Sequence, residues 1–109
     1  MKLETAQSLR FAQVTEEQLR EAFRDDARRG EFIILSQQPQ TYIQAGGEAD
    51  GPYRLEYRDG DADHHFQAAA DYRKEDVQRA FLWYLAGDTR WQTEFPWRKQ
   101  EQKPWWRFW

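Results

Sequence analysis

Cysteine is absent from this 109-residue chain. That excludes disulfides, thiolate nucleophiles and cysteine-ligated zinc together, and it fits a reducing cytoplasm. Histidine occurs only at His64 and His65, and serine only at Ser8 and Ser36, with no nucleophile elbow around either serine. No apolar run approaches the length of a membrane span. Residues 1–14 carry charges and lack the apolar stretch of a signal peptide, so no export signal is expected. A core of ordinary size suffices at this length, without a metal or disulfide staple.

Tryptophan is abundant and concentrated. Five of the six fall in the last nineteen residues: Trp91, Trp97, Trp105, Trp106 and Trp109, with Phe95 and Phe108 among them. Indole carries a large apolar area, so such a segment is expected to dock on its own domain, on a second copy or on a partner. Self-docking is expected of Trp91, Phe95 and Trp97. For Trp105, Trp106 and Trp109 the choice between partner, dimer and disorder stays open. Pro96 and Pro104 argue against a continuous helix there.

Charge is divided along the chain. The net charge is −3, but residues 90–109 hold five basic groups against Glu94 and Glu101, a balance of +3. Residues 1–89 therefore carry −6, from 11 basic and 17 acidic side chains. An acidic body disfavours phosphate backbones and suits a basic partner; an ordinary solvated surface gives the same count.

Local signals define two helices. Thr15 with Gln18 forms a capping box, Glu16 and Glu17 suit the positive helix start, and Leu19, Ala22, Phe23 and Ala27 make one apolar stripe. Arg28 and Arg29 suit the negative end before Gly30, so one helix is predicted over 16–29. Before it, residues 8–13 alternate as a short extended segment. A second helix is predicted over 74–86, with Val77, Ala80, Phe81, Tyr84 and Leu85 on its stripe and Gly87 as its stop. Trp83 lies off that stripe and is a candidate contact for the aromatic tail or a partner.

Four strands are predicted between the helices. Phe32-Ile33-Ile34-Leu35 is a continuous apolar run, the pattern of a strand buried on both faces. Thr41–Ala45 follows a turn at 37–40. Tyr53, Leu55 and Tyr57 alternate with Arg54, Glu56 and Arg58, as in a half-buried strand. Asp59-Gly60 marks a hairpin, and His64–Ala68 pairs back. The expected fold is α+β: a four-stranded antiparallel β-meander with two helices on one face and an aromatic C-terminal extension. The domain is expected to span 1–98, followed by a Trp-rich basic tail over 99–109. The second sheet face is left solvated, covered by the tail or used for binding.

No constellation states a chemistry. His64 and His65 are strand neighbours that point to opposite faces, so one is expected in a cross-strand pair and the other at the rim. Gly46-Gly47 with Gly51 lacks the lysine and following helix of a phosphate loop, and Glu48 and Asp50 repel phosphate. The acidic pairs Asp25-Asp26 and Glu75-Asp76 have solvation or capping roles. No catalytic, cofactor or metal residue is assigned.

Several segments together resemble a known group. They are Tyr-Ile-Gln-Ala-Gly-Gly at Tyr42 to Gly47, Leu-Glu-Tyr-Arg at Leu55 to Arg58, and His65-Phe66. The helix end adds Ala80-Phe81, Tyr84-Leu85, Gly87-Asp88 and Trp91. Over about residues 30–98 this resembles the bacterial immunity proteins encoded beside polymorphic-toxin and secreted-effector genes. The resemblance implies a non-enzymatic inhibitor that binds a cognate toxin in the cytoplasm of the producing cell. It directs attention to Glu48, Asp50, Asp59, Asp61 and Asp63 as contacts for a basic toxin. The Trp-rich tail departs from the group's pattern; Trp83, Trp105, Trp106 and Trp109 are aromatic candidates on their own chemistry. Tyr42, Tyr53 and Tyr57 are anchors only if they face outward, and their pattern favours burial. Two further readings are carried: a self-associating adaptor that dimerises through the tail, and single-stranded nucleic-acid binding by the cationic aromatic tail.

Overall fold

Thr15 opens the first helix as its neighbours dictate. Its hydroxyl accepts from the Gln18 backbone N at 3.1 Å, and the Gln18 carboxamide oxygen accepts from the Thr15 N at 3.0 Å. In this computed structural model, which describes residues 1–48 and 51–100, helix α1 (Glu16–Arg24) turns Leu19, Ala22 and Phe23 into the core. The single helix predicted to Arg29 breaks at Asp25, whose φ of −98° and ψ of 83° are not helical. The Asp25 carboxylate accepts from Arg28 N at 3.1 Å and starts a separate turn, α2 (Asp26–Arg29). A short acidic side chain competes for backbone donors in this way.

The break has a structural use. Arg29 is fully buried, and its Nη1 donates to the carbonyls of Ala22 at 3.1 Å and Phe23 at 2.7 Å. Those carbonyls belong to the last turn of α1, where no intrahelical donor remains. Nη2 donates to Asp26 Oδ1 at 2.5 Å and to the Tyr53 hydroxyl at 2.8 Å. One guanidinium thus ends α1 and ties it to the sheet. Gly30 follows with φ +67°, where a Cβ would stand 2.6 Å from Gln7 Cγ.

The strands are β1 (Lys2–Thr5), β2 (Arg10–Phe11), β3 (Phe32–Gln38), β4 (Thr41–Gly47), β5 (Tyr53–Asp59), β6 (His65–Ala68) and β7 (Trp97–Lys99). They form one antiparallel sheet in the order β2-β1-β3-β4-β5-β6-β7. The α+β class and the antiparallel sheet match the expectation; the count of four strands does not. The central meander, β3 to β6, is the predicted one. It is extended on one side by β1 and β2, and on the other by β7, which draws Trp97–Lys99 into the sheet. β2 falls within the extended segment expected over 8–13, whereas β1 and β7 show no period in the sequence; all three pair with a longer neighbour.

Helix α3 (Lys74–Ala86) has the predicted bounds, with Gly87 in the left-handed conformation at its end. A last turn, α4 (Arg90–Thr93), buries Trp91. Both long helices lie on one sheet face, where the core row Leu3, Leu35, Ile43, Tyr57 and Phe66 meets Phe23, Phe81 and Val77. Phe23 and Phe81 meet edge to face at 5.3 Å.

The expected self-docking of Trp91, Phe95 and Trp97 is observed. Tyr57 stacks on Phe66 at 4.7 Å and receives Trp91 and Trp97 edge-on at 4.8 and 4.7 Å. Phe95 packs edge-on to Tyr72 at 4.9 Å. The Trp97 indole N–H donates to the Trp91 carbonyl at 3.3 Å, which anchors β7. Trp105, Trp106 and Trp109 lie outside the described residues.

Candidate functional site: the uncovered face of the sheet

Alternation along the strands sends every second side chain to the face without helices. Register aligns these residues into rows. The longest runs from β2 to β7 through Arg10, Glu4, Ile34, Gln44, Glu56, Gln67 and Arg98. Beside it run Lys2, Ser36, Tyr42, Arg58 and His65. On the other side stand Phe32, Gly46 and Arg54.

This face corrects a second expectation. Strand β3 is buried on one side only: Ile33 and Leu35 are fully covered, whereas Phe32 is 42% exposed and Ile34 half-buried. Its continuous apolar run therefore places two hydrophobes on the open face rather than in a second core.

The side chains here hold one another. Arg58 Nε donates to His65 Nδ1 at 3.2 Å, and its Nη1 donates to Gln40 Oε1 at 2.7 Å. The other ring nitrogen, Nε2, lies 3.6 Å from Glu56 Oε1. Glu56 Oε2 accepts from Gln44 Nε2 at 2.6 Å. The Arg58 guanidinium also lies 5.7 Å from the Tyr42 ring centroid, and Tyr42 meets His65 edge-on at 6.3 Å. Near the sheet edge, Lys2 pairs with Glu4 at 2.6 Å and holds the Glu4 carboxyl below its ordinary range.

Two hollows lie side by side on this face and share Ile34 and Gln44. One, about 550 Å³, is walled by Glu31, Phe32, Glu48, Arg54 and Glu56 over a floor that includes Gly46. The other, about 610 Å³, is lined by Lys2, Glu4, Tyr42, Arg58, the end of β3 at Gln37 and Gln38, and the Pro39-Gln40 turn. Carboxylates outnumber cations in the first hollow, with Glu31, Glu48 and Glu56 against Arg54, whereas Glu4 stands with Lys2 and Arg58 in the second.

The expected loop residues are not brought together. Glu48 follows β4 and lines the first hollow. Asp59, Asp61 and Asp63 lie at the opposite end of β5, beside the β3–β4 turn, where Gly60 N donates to the Gln40 carbonyl at 2.8 Å. The seven residues of β5 separate the two ends by about 20 Å. Asp61 is a turn former: its carboxylate accepts from Asp63 N at 2.9 Å and His64 N at 3.1 Å, and lies 2.7 Å from His64 Nδ1. The hydrogen bond from His64 holds the Asp61 carboxyl low. Asp50 lies outside the described residues. Trp83 is half-buried on the helix side, with the Arg79 and Arg90 guanidiniums 5.3 and 5.0 Å from its ring centroid.

The two histidines take the expected roles, but not as strand neighbours: His64 ends a 3-10 turn (Ala62–His64), and the strand expected from His64 begins at His65. His65 pairs across strands with Arg58, and His64 stands at the rim. Tyr53 and Tyr57 face the helices and Tyr42 faces outward, so one of the three tyrosines is available as an outward anchor. Sequence reasoning missed Phe32, Ile34, Gln44 and Gly46 as surface residues. The outward set Arg54, Glu56 and Arg58 was visible in the β5 alternation, and extending that parity through the hairpin registers would have found the rest. Among the described residues no helix is long and apolar enough to cross a membrane. No family model, no curated protein and no solved structure matches this chain.

Proposed function

We propose that this chain is a non-enzymatic protein-binding module that receives its partner on the uncovered sheet face. Its most concrete form is an immunity protein that neutralises a toxin encoded nearby, in the cytoplasm of the producing cell. The observation that carries the reading is the pair of hydrogen bonds Gln44–Glu56 and Arg58–His65, 3.6 Å apart at Glu56 and His65 across three strands, beside exposed Phe32 and outward Tyr42. A surface ordered before contact loses little side-chain entropy on binding.

Three further features support it. The sheet ends in strands of two and three residues, which offer little backbone for strand addition, so the face is the larger surface. Both histidines are engaged in structural contacts, His64 with Asp61 and His65 with Arg58. The acidic residues 1–89 favour encounter with a basic protein. The resemblance of residues 30–98 to immunity proteins supplies the toxin as partner class.

The test is co-expression with the product of the adjacent gene. The reading expects co-purification at fixed stoichiometry and survival of cells that otherwise die from that product. Neither binding nor protection, with both proteins folded, refutes it.

A further inference from the structure

We infer that the hollow floored by Gly46 is the subsite for a cationic side chain, arginine or lysine, presented by the bound partner. The inference rests on the protein-binding reading and specifies one contact within it.

The hollow exists because β4 has no side chain where one would fill it. Gly46 lies in register between Phe32 of β3 and Arg54 of β5, on the open face. A Cβ built there meets only the Glu31 carbonyl, at 3.6 Å, so outward space is free above the backbone. Phe32 forms one wall and is the exposed large hydrophobe of the described residues. An aromatic ring open to solvent attracts a cation and covers the aliphatic stem behind it.

The polar walls have the complementary sign. Glu31, Glu48 and Glu56 line the hollow with Arg54 as the single cation, an excess of two negative charges. Among the described residues, none of these four makes an ion pair with a Lys, Arg, Asp or Glu side chain within 4.0 Å. Glu56 is the fixed member. Its side chain is 18% exposed, one oxygen accepts from Gln44, and the other lies 3.6 Å from His65. A carboxylate has about four acceptor sites, so capacity remains for a guanidinium or ammonium. A largely buried carboxylate of set direction beside an exposed aromatic ring fits a basic side chain; an anion would meet the excess negative charge.

The experiment uses the full-length chain, isotope-labelled, and reads backbone amide shifts at Phe32, Gly46, Gly47 and Arg54. The probes are N-acetyl-arginine amide, N-acetyl-glutamine amide, N-acetyl-glutamate amide and inorganic phosphate. The arginine probe is expected to saturate with a Kd on the order of millimolar, and to bind at least about tenfold tighter than the others. Gly46→Val fills the floor while keeping strand geometry, and Glu56→Gln keeps the size while removing the charge. Each is expected to weaken the arginine probe by about tenfold, the equivalent of one charge-assisted hydrogen bond. A cooperative melt of each variant confirms that it is folded. Absence of saturable shifts overturns the subsite; so does equal binding by folded Gly46→Val and Glu56→Gln, or preference for glutamate or phosphate. With the partner in hand, undiminished binding by both variants removes the subsite and leaves the protein-binding reading standing. A chain that takes the arginine probe but binds no partner removes that reading and keeps the subsite chemistry.

Discussion

Arg58 donates from Nε to Nδ1 of His65 at 3.2 Å, directly across the β5–β6 register. That bond fixes the imidazole, whose Nε2 lies 3.6 Å from Glu56 Oε1. Gln44 completes the line on β4. The open face is therefore a linked array rather than a set of independent solvated side chains. Buried to 9% exposure, His65 is its keystone.

His65→Ala is expected to cost about 2 kcal/mol, from lost packing and from the lost acceptor for Arg58 Nε. Urea unfolding measures the loss. A change below a few tenths of a kcal/mol would show that Arg58 and Glu56 rearrange freely and that the array is not pre-ordered.

Arg29 supplies the strongest stability prediction. Arg29→Met keeps volume but strips donors from the Ala22 and Phe23 carbonyls and from the Tyr53 hydroxyl. The expected loss is about 3 kcal/mol, whereas Tyr53→Phe loses about 1 kcal/mol. Denaturant midpoints for both single variants and the double variant give the coupling between the two side chains. Strict additivity would contradict a direct Arg29–Tyr53 bond.

Tyr84 and Asp26 set opposite limbs of the stability–pH curve. Burial pushes the Tyr84 hydroxyl up to about 12, against about 10 in an unfolded chain. Its contribution is complete below pH 10 and is lost as the pH rises toward 12, because only the unfolded state releases the proton in that window. Its hydroxyl donates to no acceptor among the described residues. Tyr84→Phe is therefore expected to match or exceed the parent stability at pH 7 and to flatten the alkaline limb. Hydrogen bonds first from Arg29 and then from Lys74 hold the Asp26 carboxyl below its ordinary range. That contribution is present above about pH 4 and lost as the pH falls through the lower folded value. Asp26→Asn should shallow the acid limb. Thermal melts from pH 2 to 12 check both signs.

The chain marks some of this plainly and conceals the rest. Thr15 and Gln18 act within one helical turn, so their capping box reads directly from spacing. The stripe of α3 and its Gly87 stop do the same, as does the parity of Tyr53, Leu55 and Tyr57. Asp25 looks like one more surface acid within a helical stripe, and only the docking of Arg29 beneath α1 shows why the helix ends there. Arg29 itself reads as a solvated helix-end cation, yet it is wholly buried, because the carbonyls it satisfies arise from tertiary placement. Strands β1 and β7 carry too few residues to show a period, and of the 8–13 alternation only Arg10–Phe11 pairs. The Gly46 hollow needs three strands in register, and no local pattern encodes that. The acidic loops look adjacent in sequence, but hairpin geometry sends Glu48 and Asp61 to opposite ends.

Neighbouring glycines in β4 should answer differently. Gly47 has φ +153°, and a Cβ there would stand 2.5 Å from the Pro52 carbonyl oxygen. Gly47→Ala is expected to lose about 2 kcal/mol. Gly46→Ala meets only ordinary contact and should be neutral or more stable by about 0.5 kcal/mol. Equal costs in chemical denaturation would show that the strand end is not built as described.

The most direct measurement compares two surfaces of the same chain against the protein encoded beside it. One variant carries Phe32→Ser with Glu48→Lys on the open face; the other carries Trp83→Ala on the helix side. Isothermal titration is expected to show the first weakened by about tenfold or more and the second unchanged. Full affinity in the open-face variant, or its loss only in the helix-side variant, would contradict the claim that the uncovered sheet is where this protein works.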